Sequence, residues 1–153
     1  MGMYTELHFN AELKWDTPKQ VLDILAMMTN VKTIADPLPD PLPARDLFKC
    51  EDWRLMLLMD SSYFPADTHS TLRFDADDDV EHGGTWFLCI RCNLKNYEHQ
   101  IEKFLDWIGP YVETGGVREC LGYYRYESDE DPTLIYASGD ETGAYRPLET
   151  IRA

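Results

Sequence analysis

The sequence predicts an α+β fold: a mostly antiparallel sheet with two helices on one face, built from two βαββ repeats over residues 3–75 and 85–137. Three observations point there. Two stretches, 4–13 and 85–94, alternate apolar and polar residues and read as half-buried strands. Each is followed by an amphipathic helical stretch and then by further β-rich segments. The halves also match in detail: Leu7, Phe9, Leu13 and Lys14 align with Leu88, Ile90, Leu94 and Lys95. After a single-residue gap, Gln20, Val21, Ile24, Leu25 and Met28 align with Gln100, Ile101, Phe104, Leu105 and Ile108.

In chain order, Thr5, Leu7, Phe9, Ala11 and Leu13 alternate with Tyr4, Glu6, His8, Asn10 and Glu12. Thr17, Pro18 and Gln20 form a capping-box start for the first helix, whose buried stripe is Val21, Leu22, Leu25 and Met28 and which fades near Asn30. Pro37, Pro39, Pro41 and Pro43 remove backbone donors at every second residue, so 35–44 is an extended surface loop. The apolar run 54–59 reads as a short central strand paired with a strand at 70–75, where Leu72 and Phe74 share a side. An acidic turn at 75–81 and Gly83-Gly84 lead into the strand 85–94, with Trp86, Leu88, Ile90, Cys92 and Leu94 on one side and Phe87, Cys89, Arg91 and Asn93 on the other.

The second helix spans 96–107 and is ended or kinked by Gly109-Pro110. A β-rich strand at 117–127 has its hairpin mate at 133–137, joined by the turn 128–132. The tail 138–153 is poor in apolar residues and reads as a loose arm with a short extended piece near Tyr145.

A chain of 153 residues, 44% hydrophobic and 12% aromatic, fits one domain with a real core. Its 14 Lys+Arg against 28 Asp+Glu give a formal charge of −14, which repels phosphate backbones and anionic membranes, so direct nucleic-acid and membrane binding are not expected. With no signal-like or membrane-length segment, the expected location is cytoplasmic, and Cys50, Cys89, Cys92 and Cys120 should be free thiols.

No motif carrying chemistry survives inspection. Cys89 and Cys92, three apart on a strand, face opposite ways, and no second pair follows. The calcium-loop-like start at Asp75, Asp77 and Asp79 fails at Val80 and Trp86, where Gly and Glu are required. His99 and Glu102 begin an inverted zinc motif that fails at Lys103. No catalytic residue, metal ligand or cofactor is therefore assigned. The candidate ligand-binding surface is the sheet face away from the helices, with Tyr4, Glu6, His8, Phe87 and Arg91, together with Arg54, Arg73 and Arg125. Cys89 should share that face, and Tyr124 would replace Arg125 if that strand had the other phase. A solvated face or a homodimer contact is the plainer reading of such a surface.

Met3-Tyr4-Thr5-Glu6-Leu7, Asp16-Thr17-Pro18 and Asn93-Leu94-Lys95-Asn96-Tyr97-Glu98, followed by the helix from Ile101 to Ile108, resemble a family of small uncharacterised phage and prophage proteins. The resemblance implies a phage accessory product in a bacterial host cytosol and brings no catalytic residues. The duplicated βαββ order is similar to that of GyrI-like proteins, which bind ligands or protein partners; that is an analogy of topology. The functional expectation is a non-enzymatic binding protein that inhibits a host or bacterial-defence protein through an acidic surface. The alternative is a binder or sponge for a small anionic ligand or nucleotide on the open sheet face. An enzyme using Glu6 and His8 as acid and base ranks third, since no orienting partner can be named.

Overall fold

The computed structural model describes residues 3–139 and 147–153. Strand β1, Thr5–Glu12, lies inside the sheet, pairing antiparallel with β3, Thr85–Leu94, on one side and β4, Glu119–Tyr126, on the other. Strand β2, Thr71–Asp75, flanks β3, while β5, Thr133–Ala137, and β6, Glu149–Arg152, continue beyond β4. The order is β2-β3-β1-β4-β5-β6, antiparallel throughout. Helix α1, Lys19–Met28, connects β1 to the β2 region, and α2, Gln100–Ile108, connects β3 to β4. Each helix thus joins two parallel strands that have a strand of the other half between them, the split β-α-β arrangement.

The alternation read in β1 and β3 decides which face is covered. Leu7, Phe9 and Ala11 stand opposite Cys92, Ile90 and Leu88, all buried. Val21, Ile24, Leu25 and Met28 of α1 and Ile101, Phe104, Leu105 and Ile108 of α2 join the same core, with Phe104 edge-on to Phe9 at 6.1 Å between ring centres. The expected α+β class, with both helices on one sheet face, is what the chain forms.

Several local expectations are corrected. The run 54–59 is not a strand: Met56–Leu58 is a 3-10 turn, and Leu58 donates to the Leu55 carbonyl at 2.9 Å. Met56 and Leu57 pack inward together with Trp53 and Phe48, and Phe48 contacts Trp107 of α2, giving the core a side layer. An apolar run without a period is satisfied by burial in any conformation, which is why it resembled a central strand. β2 consequently pairs with β3, not with 54–59, and the first half supplies two strands to the sheet where three were expected.

The capping box also fails. The Thr17 hydroxyl donates to the Lys14 carbonyl at 2.6 Å, the cap position is Pro18, and Gln20 reaches across to the Pro41 carbonyl, tying down the proline loop. Helix α2 begins at Gln100 because His99 takes a left-handed conformation at φ 57. Asn96, expected inside the helix, instead accepts the Ile101 N–H at 2.9 Å and donates to Glu102, capping the helix from outside. The tail is not wholly a loose arm. β6 pairs with β5, and Arg152 meets Asp129 at 3.2 Å; the extended piece expected near Tyr145 falls outside the described residues.

At Gly122, φ is 150 and a Cβ would sit 1.9 Å from the His8 carbonyl oxygen, so β4 reaches β1 only through a residue without a side chain. Gly115, at φ 62, has nothing within 4 Å. Gly122→Ala should lower unfolding free energy in urea by about 3 kcal/mol or more, against about 1 kcal/mol for Gly115→Ala. Equal losses would contradict the close approach.

Candidate functional site

Register places the polar residues of the sheet in rows on the face away from the helices. Glu6 lies between Asn93 and Arg125, His8 between Arg91 and Tyr123, Asn10 beside Cys89, and Glu12 beside Phe87 with Arg73 beyond it. Tyr4 extends the parity of β1, with the Lys95 ammonium 5.7 Å from its ring centre. Tyr124, paired with Leu7, faces the core, so Arg125 has the outward phase. Arg54 does not join this face. It is buried beside the end of α1, where its Nη2 donates to Thr33 Oγ1 at 2.7 Å and to the Asn30 carbonyl, and burial lowers its proton affinity against the opposing pull of Asp36.

The face is also less open than its polar residues imply. A strap leaves Met59, whose carbonyl accepts the Asn93 N–H at 3.1 Å, and returns at His69, whose N–H goes to the Arg91 carbonyl. Between these points Phe64 lies 5.3 Å from the Arg125 guanidinium and Tyr63 Oη donates to the Glu127 carbonyl, so the strap spans from the edge of β3 to β4. Phe64 is only 4% exposed, yet it stands apart from the main core. Beneath the strap Glu6 and Asn93 are buried, and the Asn93 side-chain amide finds no hydrogen-bond partner among the described residues.

The charges on this face are largely committed. Arg125 Nε donates to Glu6 Oε1 at 3.1 Å, His8 Nε2 lies 3.7 Å from the other Glu6 oxygen, and the His8 ring stacks on Tyr123 at 4.7 Å. Arg73 covers the Phe87 ring and lies 3.6 Å from Asp75. The cluster joins β1 to β4 through charge and stacking, while Arg91, exposed beside His8, stands outside these pairs. Sequence reasoning placed Arg125 and His8 here but missed Tyr123 and Phe64. Tyr123 follows from the phase of β4; nothing in Tyr63-Phe64-Pro65 distinguishes a strap from an ordinary loop.

A second surface, at the far end of the sheet, was not expected. Trp15 stacks on His82 at 4.6 Å, and Phe74 leans on Trp86 at 4.9 Å. Trp15, Phe74 and Val80 are 67%, 46% and 83% exposed. Around them run Asp75, Asp77, Asp78, Asp79 and Glu81. Glu12 reaches the same rim: its pKa is raised by desolvation first, then by Asp78, Glu113, Glu119 and Asp79. Asp79, Glu81 and His82 hold ligand-type atoms within 4.8 Å of one another, all exposed, with the His82 ring 2.7 Å from Asp79. The signal available in sequence was the pair of exposed-turn apolar residues, Trp15 and Val80, set among acids.

The cysteines lie as expected. Cys92 is fully buried, and burial pushes its thiol pKa well up, whereas Cys89 sits on the opposite face; all four thiols are free. Among the described residues no helix is long and apolar enough to cross a membrane. The chain matches no known family model, and neither a curated protein nor a solved structure is significantly similar to it.

Burial lowers the His8 pKa below its ordinary 6.5, with Arg91 acting in the same sense and Glu6 opposing. The folded state therefore binds the proton less readily than the unfolded chain does. The associated stability is complete above about pH 6.5 and is lost as pH falls below that value, until the folded state titrates too. His8→Gln should flatten the decline in melting temperature over this acid range; an unchanged slope would remove His8 as its source.

Proposed function

We propose that this protein is a binding module that engages a basic partner protein through the acidic, aromatic-studded flank around Trp15, Phe74 and Val80. The observation that carries the reading is the coincidence of exposed large apolar side chains with a dense set of like charges. Isolated apolar residues are ordinary on a surface, but aromatic rings rimmed by charge are the usual composition of a protein contact. The rings offer desolvated area and cation–π faces, and the carboxylates attract and orient an oppositely charged surface. The Glu12 pKa is raised first by desolvation and then by Asp78, Glu113, Glu119 and Asp79, and a cation placed there would relieve that second, repulsive part.

In biological terms the proposal is a phage accessory product that inhibits a host or bacterial-defence protein by occupying its basic surface. This rests on the family resemblance together with the charge. The small-anion alternative has less physical support: Arg125 is neutralised by Glu6 and covered by Phe64, Arg73 lies near Asp75, and Arg54 sits elsewhere.

The test is capture from bacterial lysate, followed by titration of the purified captured protein with the parent and with Asp77→Asn/Asp78→Asn/Glu81→Gln. The parent should bind with an affinity that falls steeply with salt, and the neutralised variant should bind about tenfold or more weakly. Equal affinities for parent and variant would exclude the flank as the contact.

A further inference from the structure

Strand β2 ends the sheet, so among the described residues one side of its backbone faces no other strand. The ladder parity identifies which groups are turned outward. His69 N–H bonds to the Arg91 carbonyl, two residues along from the Thr71–Cys89 pair, so odd-numbered residues bond to β3 and Leu72 and Phe74 direct their N–H and C=O away from it. Leu13 N–H bonding to the Trp86 carbonyl, on the other side of β3, agrees with that parity.

Along the helix side of this edge lies a groove of about 570 Å³ between α1 and β2. Leu22, Ala26, Leu72 and Trp86 give it an apolar lining, with Lys19 and Asp23, themselves paired at 2.7 Å, at its rim. The acidic turn containing Asp77, Asp78 and Asp79 follows directly from β2. A free strand edge, an apolar trough beside it and an acidic end form one continuous surface.

We infer that β2 accepts an extended segment of the partner as an added antiparallel strand. One apolar side chain of the segment fills the α1–β2 groove, and its basic residues lie against the turn that follows Asp75. The inference rests on the proposed acidic-flank function and specifies its mode of contact. Backbone hydrogen bonds to Leu72 and Phe74 supply the pairing, and the groove and the acidic turn supply the selectivity. The occupant is a basic segment rather than a second copy of this chain. Antiparallel pairing of two β2 edges about Arg73 would set Arg73 against itself and bring together chains of charge −14. The same edge strand carries Arg73 and Asp75, charges that discourage indiscriminate self-pairing.

The probe is a fluorescent synthetic peptide of two lysines followed by alternating valine and threonine. Its control has equal charge but carries proline at alternate positions, which removes the strand donors. Saturating the full chain with the first peptide should slow hydrogen exchange of the Leu72 and Phe74 amides by about tenfold or more. Ala26→Gln, at an exposed helix position, should fill the groove and weaken binding by about tenfold while leaving the circular dichroism spectrum unchanged. If the proline control binds equally and Ala26→Gln costs nothing, strand addition is wrong while the acidic-flank reading stands. If neither peptide binds even at low salt, that reading falls with it.

Discussion

The antiparallel register between β1 and β3 is the constraint on which the rest of the molecule depends. Because side chains alternate with a period of two, the pairing of Leu7 with Cys92, Phe9 with Ile90 and Ala11 with Leu88 puts every large apolar group of these pairs on one face. Each buried Leu, Ile or Phe contributes roughly 1.5–3 kcal/mol, and a slip of one residue would turn the whole set outward. The two helices have only that face on which to lay their stripes. The polar residues between are left on the reverse, where the Glu6, Arg125, His8 and Tyr123 cluster joins β1 to β4.

That division of faces governs which elements are legible in the amino-acid sequence. Strands with clean alternation and helices with a sustained stripe identify themselves, since their periods differ and each is repeated several times. The run from Arg54 to Met59 has no period, so its conformation is decided by the space to be filled beside β3 and α2. The start of α2 turns on His99, one residue in an uncommon conformation, and on an Asn96 amide reaching past it. Neither is visible in propensity. Arg54 went astray with its segment: once 54–59 is not a strand, the side chain has no sheet face to occupy.

The functional surfaces were legible in the opposite order to their apparent promise. The reverse face was found from sequence with its rows nearly complete, yet the strap carrying Phe64 covers one end of it and its charges satisfy one another. The flank around Trp15, Phe74 and Val80 was missed because its members come from three separate segments that meet only in the fold. The charge of −14, which in sequence has no particular location, gains a local meaning there through Glu12, whose ionisation is opposed first by burial and then by its acidic neighbours. The same turn that gathers the acids ends the edge strand, so fold and recognition share one piece of chain.

The central register can be tested by a single covalent cross-link. Asn10 and Cys89 are directly opposed on the reverse face, at a non-hydrogen-bonded position of the ladder, where Cα atoms lie about 4.5 Å apart and a disulfide can close. In a Cys120→Ser background, Asn10→Cys should oxidise to a 10–89 disulfide identified by peptide mass mapping, whereas His8→Cys and Glu12→Cys should not couple to Cys89. Coupling from position 8 or 12 in place of 10 would mean that the strands pair in another register, and the opposition of Leu7 to Cys92, Phe9 to Ile90 and Ala11 to Leu88 would be wrong.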